Sequence, residues 1–136
     1  AFYSSISTST SLIRDSEKLK DTALLLWNIK RKILSAQKIY LEKDKLFMIT
    51  SAGDYYEGVI KCAYIYKNRI LYYYEFPYPY GDIRFYEEDK LIKLGRYERL
   101  SFGVYEDGNL LDSFLGLPKM VYIRLEDKEL FIKNIP

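Results

Sequence analysis

Two hydrophobic periods divide this chain. Leu19, Ala23, Leu26, Ile29, Ile33, Ala36 and Tyr40 recur at steps of three and four, a spacing that lines up one side of a helix. Glu17, Lys20, Asp21, Asn28, Arg31, Lys32, Ser35 and Lys38 fall on the other side. Ser16 is a suitable N-cap with Glu17 in the first turn, and no glycine interrupts the pattern before Gly53. The pattern predicts a long amphipathic helix over 16–41, its outer face basic in the second half. Ahead of it, residues 1–13 are rich in Ser and Thr with scattered apolar side chains, and read as an extended arm.

Beyond residue 44 the period falls to two. Val59, Lys61, Ala63 and Ile65 alternate with Ile60, Cys62, Tyr64 and Tyr66; Leu100, Phe102 and Val104 with Ser101, Gly103 and Tyr105; Val121, Ile123 and Leu125 with Tyr122 and Arg124. Such alternation belongs to strands with one apolar face. A phrase of Tyr or Leu, four mostly polar residues and Leu also recurs, at Leu41–Leu46, Tyr66–Leu71, Tyr86–Leu91, Tyr105–Leu110 and Leu125–Leu130. Its spacing of about 20 residues suits one β-hairpin per repeat and leaves no room for a crossover helix. Residues 45–135 are therefore expected to form an antiparallel meander of about eight or nine strands, as a bent sheet or an up-and-down barrel, with the helix packed on it. That makes a single α+β domain over 1–136. In a meander alternate turns share an end, so the five repeated turns are expected on one net acidic rim.

Composition narrows the chemistry. The 136 residues are 49% hydrophobic and 29% charged, a globular balance. The longest apolar run, Ala23–Trp27, is far short of the roughly 20 residues a membrane helix needs. The N-terminal residues lack the basic start and apolar centre of a signal peptide, and the reading is a cytoplasmic or virion protein. There is no histidine, and Cys62 is the single cysteine, so the usual catalytic triads and Cys/His metal clusters have no residues to use. Neither catalytic residues nor a cofactor or metal site are expected. Lys, Glu, Tyr and Ile are plentiful while Gln, Met and Cys are scarce, the bias of hyperthermophile proteins, which points to a hyperthermophilic archaeon or its virus. Residues 1–45 carry a net charge of about +4 and the remainder about −2.

Thirteen of the fifteen tyrosines lie beyond residue 50, and strand alternation sends Tyr72 and Tyr74 to one face and Tyr73 to the other. Together with Tyr78 and Tyr80 they form a candidate contact surface, because tyrosine anchors protein interfaces. Lys20, Arg31, Lys32 and Lys38 on the helix are the candidate basic contacts. The expected partner is a protein or a second copy of the chain. The alternative is nucleic acid, with bases stacked on exposed tyrosines and phosphates held by the basic helix. On that alternative, Glu88-Asp89-Lys90 and Glu126-Asp127-Lys128 have the acidic-x-Lys form of Mg²⁺-dependent nucleases.

The stretch Phe85–Tyr97 followed by Gly103–Leu111 resembles the hairpin repeats of MORN proteins and YwqK-type antitoxins, in which an aromatic strand, an acidic-Gly turn and a Leu strand recur. The turn glycine of those families is matched at Gly108, with Lys90 and Lys128 in its place elsewhere. The resemblance implies scaffolding or neutralisation of a partner without catalysis.

Overall fold

The computed structural model describes residues 10–134, with side chains over 21–134. A helix, α1 (Thr10–Leu34), precedes ten strands: β1 (Ala36–Glu42), β2 (Lys45–Thr50), β3 (Ile60–Lys67), β4 (Ile70–Phe76), β5 (Ile92–Arg96), β6 (Leu100–Glu106), β7 (Asn109–Leu111), β8 (Ser113–Gly116), β9 (Met120–Leu125) and β10 (Lys128–Lys133). The α+β class and the antiparallel pairing are as expected. The helix is displaced: it takes in 10–13 of the expected arm and stops short of 41. Residues 1–9 of that arm lie outside the described residues.

Side-chain hydroxyls close the helix. Thr50 Oγ1 donates to the Lys32 carbonyl (2.8 Å) and Ser35 Oγ to that of Arg31 (3.0 Å), supplying donors to carbonyls left open in the last turn. Beyond them Ile39 and Leu41 alternate with Lys38, Tyr40 and Glu42. That stretch gains strand partners on both sides, β2 and β8, which outweighs the helical spacing of Ala36 and Tyr40.

The strands form two sheets, and among the described residues neither closes into a barrel. The first has the order β5-β4-β3-β2-β1-β8, the second β10-β9-β6-β7. The expected meander holds from β1 to β5 and then breaks, because β8 returns to pair with β1 and β9 skips β7 and β8 to pair with β6. Among the described residues ten strands replace the expected eight or nine. The five repeated turns consequently do not share one rim. The turns at 43–44 and 68–69 neighbour each other, the Tyr66 amide donating to the Asp44 carbonyl (2.9 Å). The turn at 126–127 is tied to residue 99 by the Glu126 amide on the Arg99 carbonyl (2.7 Å), and Glu98 pairs with Arg69 (3.0 Å). The turn at 107–108 lies at the far end of β6, where Lys119 Nζ sits 3.5 Å from the Asp107 carboxylate. The phrase at 86–91 makes no hairpin; Glu88–Lys90 is one turn of 3₁₀ helix closing a long loop before β5.

One core joins the three elements. Leu25, Ile29 and Ile33 of α1 meet Ile39, Leu41, Leu46, Met48, Tyr64 and Tyr73 of the first sheet and Phe102, Val104, Val121 and Ile123 of the second, all buried. Both sheets thus turn their inner faces to one interior, and their outer faces become the sites of interest. The helix buries Thr22, Leu25, Ile29, Lys32 and Ile33 and leaves the expected inward Ala23 exposed, so its buried stripe is rotated from the predicted one.

Candidate functional site: the two outer sheet faces and a buried lysine

Lys32, expected as a surface contact, is fully buried. Its ammonium lies 2.9 Å from Asp54 and above the rings of Tyr73 (5.1 Å) and Tyr64 (5.9 Å). Asp54 also receives Arg31 at 2.9 Å, so one carboxylate serves two cations. Glu75 completes the cluster: it accepts the Tyr73 hydroxyl and the backbone amides of Asp54 (2.7 Å), Tyr55 (2.8 Å) and Tyr56 (2.7 Å). Lys32 and Arg31 are paired with Asp54, Glu75 is satisfied by hydrogen bonds alone, and the cluster locks the 51–56 loop to the helix. Burial raises the pKa of the Tyr73 and Tyr64 hydroxyls and pushes the neighbouring Cys62 thiol up to about 12, which keeps it protonated and inert.

On the outer face of the first sheet, cross-strand register aligns Phe47, Ala63 and Tyr74, with Ile65 beside Tyr72 and Lys61 beside Phe76. Phe47, Ala63, Ile65 and Tyr74 are buried there because residues 77–91 fold back across them, bringing Ile83, Tyr86 and Leu91 into contact. Cations and hydroxyls of the sheet pin this loop. Lys61 donates to the Asp82 carbonyl (3.0 Å) beneath the rings of Phe76 and Phe85, and burial lowers its pKa. The Tyr74 hydroxyl donates to Glu87 (2.8 Å), and Lys67 pairs with Glu88 (2.7 Å). These bonds hold both carboxyls below their ordinary range. At the loop's start Tyr78 and Tyr80 stand exposed.

The predicted contact residues are therefore dispersed. Tyr73 is in the core, Tyr74 lies beneath the loop, and Tyr72 is half-buried beside Lys67, whose ammonium is 5.5 Å from its ring. Arg31 and Lys32 belong to the Asp54 cluster, Lys38 is exposed on β1, and the side chain of Lys20 lies outside the described residues. Among the described residues no group of three or more acidic or Cys side chains is arranged to hold a metal ion.

The second sheet is different. Register places three rows on its outer face: Ser101, Arg124 and Glu129; Gly103, Tyr122 and Phe131; Tyr105, Met120 and Lys133. Tyr105, Tyr122 and Phe131 form one aromatic cluster, with ring centroids 5.2 to 6.1 Å apart. Leu110 of β7 leans over Gly103, where a Cβ would come 2.7 Å from its Cδ1, so the missing side chain makes room for it. Phe131 and Leu110 remain 51% and 52% exposed, and no described segment crosses this face. Tyr105, Met120 and Phe131 line a shallow, open depression on this face. The charges around it are balanced: Arg124, Lys119 and Lys133 against Glu129, Glu106 and Asp107. The alternation of Ser101, Gly103 and Tyr105 and of Tyr122 and Arg124 marked these side chains as outward. Phe131 joins them only through the β9–β10 register, which composition does not signal.

Over 121 residues the chain is 40% identical to an uncharacterized protein of Aquifex aeolicus (strain VF5), a match covering 88% of this chain and 70% of that protein. No family model and no solved structure matches.

Proposed function

We propose that this chain, which belongs to one family with the Aquifex aeolicus protein, works as a non-enzymatic protein-binding or assembly module whose contact surface is the outer face of the β10-β9-β6-β7 sheet. The observation that carries this reading is the aromatic cluster of half-buried Tyr105 and Tyr122 with Phe131, which stands exposed beside Leu110 in a protein that roofs its other sheet with its own loop. A contiguous apolar patch with a polar rim is the signature of a contact site, and Tyr and Phe are the side chains that anchor one. Balanced charge around the patch favours a protein partner over a polyanion, which calls for uncompensated cations. The antitoxin-like reading of the hairpin repeats, neutralisation of a partner, is one form of this activity. A hyperthermophile source is a further part of the proposal, and it predicts a melting temperature above about 90 °C; a melt near 50 °C would remove it.

The test compares the wild-type chain with Phe131→Glu by light scattering over a concentration series and by pull-down from the native host. Self-association or partner capture that depends on Phe131 supports the reading. Strictly monomeric behaviour of both, with the same proteins captured by each, defeats it. A gel shift at low salt addresses the nucleic-acid alternative, for which the exposed Tyr55, Tyr56, Tyr78 and Tyr80 are candidate stacking platforms.

A further inference from the structure

Resting on that reading, we infer that the occupant of the bare face is a second copy of this chain, packed face to face with its strands antiparallel to those of the first. The three rows of the face set the geometry. A twofold axis lying in the face and crossing the strands through the middle row inverts the rows of one copy over the other. Phe131 then meets Phe131 of the second copy and Tyr122 meets Tyr122, so the aromatic anchors bury one another. The outer rows exchange: Glu129 comes over Lys133, Arg124 over the apolar Met120, and Ser101 over Tyr105. Each copy supplies both halves of the Glu129–Lys133 pair, so two ion pairs flank the aromatic centre.

The other twofold arrangement has its axis along the strands. With that axis along β9, through the centre of the aromatic cluster, it sets Arg124 on Arg124 and Glu129 on Ser101, placing like charges together and leaving Lys133 without a carboxylate. Electrostatics selects the antiparallel arrangement because like charges face to face cost several kcal/mol while opposite ones fix register. Sheets pack in this manner about 10 Å apart with strand directions within about 30°, as in any β-sandwich.

The size of the face sets the strength. Four strands about 4.8 Å apart and roughly 20 Å long present about 400 Å² per copy. The two together fall short of the roughly 1,200 Å² of a standard stable interface. The dimer is accordingly a reversible one, with a dissociation constant in the micromolar range or weaker. Concentrating the chain, as in an ordered assembly, fills the face.

Sedimentation of the full chain from about 1 μM to about 1 mM provides the test. The expected result is a shift from monomer to dimer mass, with Phe131→Glu weakening association by about 100-fold while leaving circular dichroism unchanged. Glu129→Lys and Lys133→Glu should each weaken it by about tenfold, and the double exchange E129K/K133E should restore it to within about threefold. Two results overturn the inference: wild-type chain that stays monomeric to the top of the range, or a dimer indifferent to Phe131→Glu. A dimer lost with Phe131→Glu but not restored by the double exchange overturns the antiparallel arrangement. A monomer that still captures a host protein through Phe131 overturns the second copy as occupant and leaves the protein-binding reading standing.

Discussion

Over the outer face of the six-stranded sheet the chain lays residues 77–91, and Phe47, Ala63, Ile65 and Tyr74 are buried beneath them. Over the outer face of the four-stranded sheet, among the described residues, it lays nothing, and Phe131 and Leu110 stand about half exposed. Both faces are built from the same kinds of aromatic and aliphatic side chain, so residue type alone does not separate covered from uncovered tyrosines. The difference lies in the length of the connections between strands. After β4 the chain has fifteen residues before Ile92, rich in Pro, Tyr and acidic side chains, and can reach back over its own sheet. After β6 and β9 it has two-residue turns, and nothing is left over to make a roof.

Truncation beneath the roof should cost far more than truncation on the bare face. Phe47→Ala should lower the unfolding free energy by about 3–5 kcal/mol, whereas Phe131→Ala should change it by less than about 1 kcal/mol; urea denaturation measures both. Equal losses would break the comparison. The charge cluster under the helix gives the next largest effect. Asp54→Ala leaves the fully buried Lys32 without its carboxylate and should cost about 2–3 kcal/mol, reduced by the partial exposure of Asp54. Lys32→Met, which removes the need for that partner, should stay within about 1 kcal/mol of wild type.

Smaller effects report on the roof itself. Tyr74→Phe deletes the hydrogen bond to Glu87 and should cost about 1 kcal/mol, with faster proteolysis after the loop residue Arg84 as the local signature. Acid should loosen the same loop. The carboxyls of Glu87 and Glu88 are held below their ordinary 4.5 by Tyr74 and Lys67, so the stability they contribute is present above that pH and is lost as pH falls through their lowered folded values. Hydrogen exchange at pH 3 against pH 7 should show the 77–91 segment opening before β6 and β9. Uniform opening would contradict the assignment.

Much of this architecture was legible in the pattern of residues. The switch from a 3.6 to a 2.0 period located the helix and the strands, and the repeated polar phrase marked the hairpin turns at 43–44, 68–69, 107–108 and 126–127. Two things were not legible. Ala36 and Tyr40 keep the helical spacing while Lys38–Glu42 alternates as a strand, and only the partners β2 and, distant in sequence, β8 decide for strand. The return of β8 to β1 and of β9 to β6 is set by burial of two inner faces against one helix, a global requirement that no local window contains. The candidate site was affected in consequence: Tyr73, Tyr74 and Lys32, chosen for residue type, are buried, while bringing Tyr105, Tyr122 and Phe131 together needed the register of the second sheet.

The most direct measurement is hydroxyl-radical footprinting of the aromatic side chains in dilute and in associated protein. Phe131, Tyr122 and Tyr105 should lose reactivity on association while Tyr78 and Tyr80, exposed at the start of the loop, keep theirs. Protection confined to Tyr78 and Tyr80, with Phe131 as reactive as before, would contradict the placement of the contact surface on the four-stranded sheet.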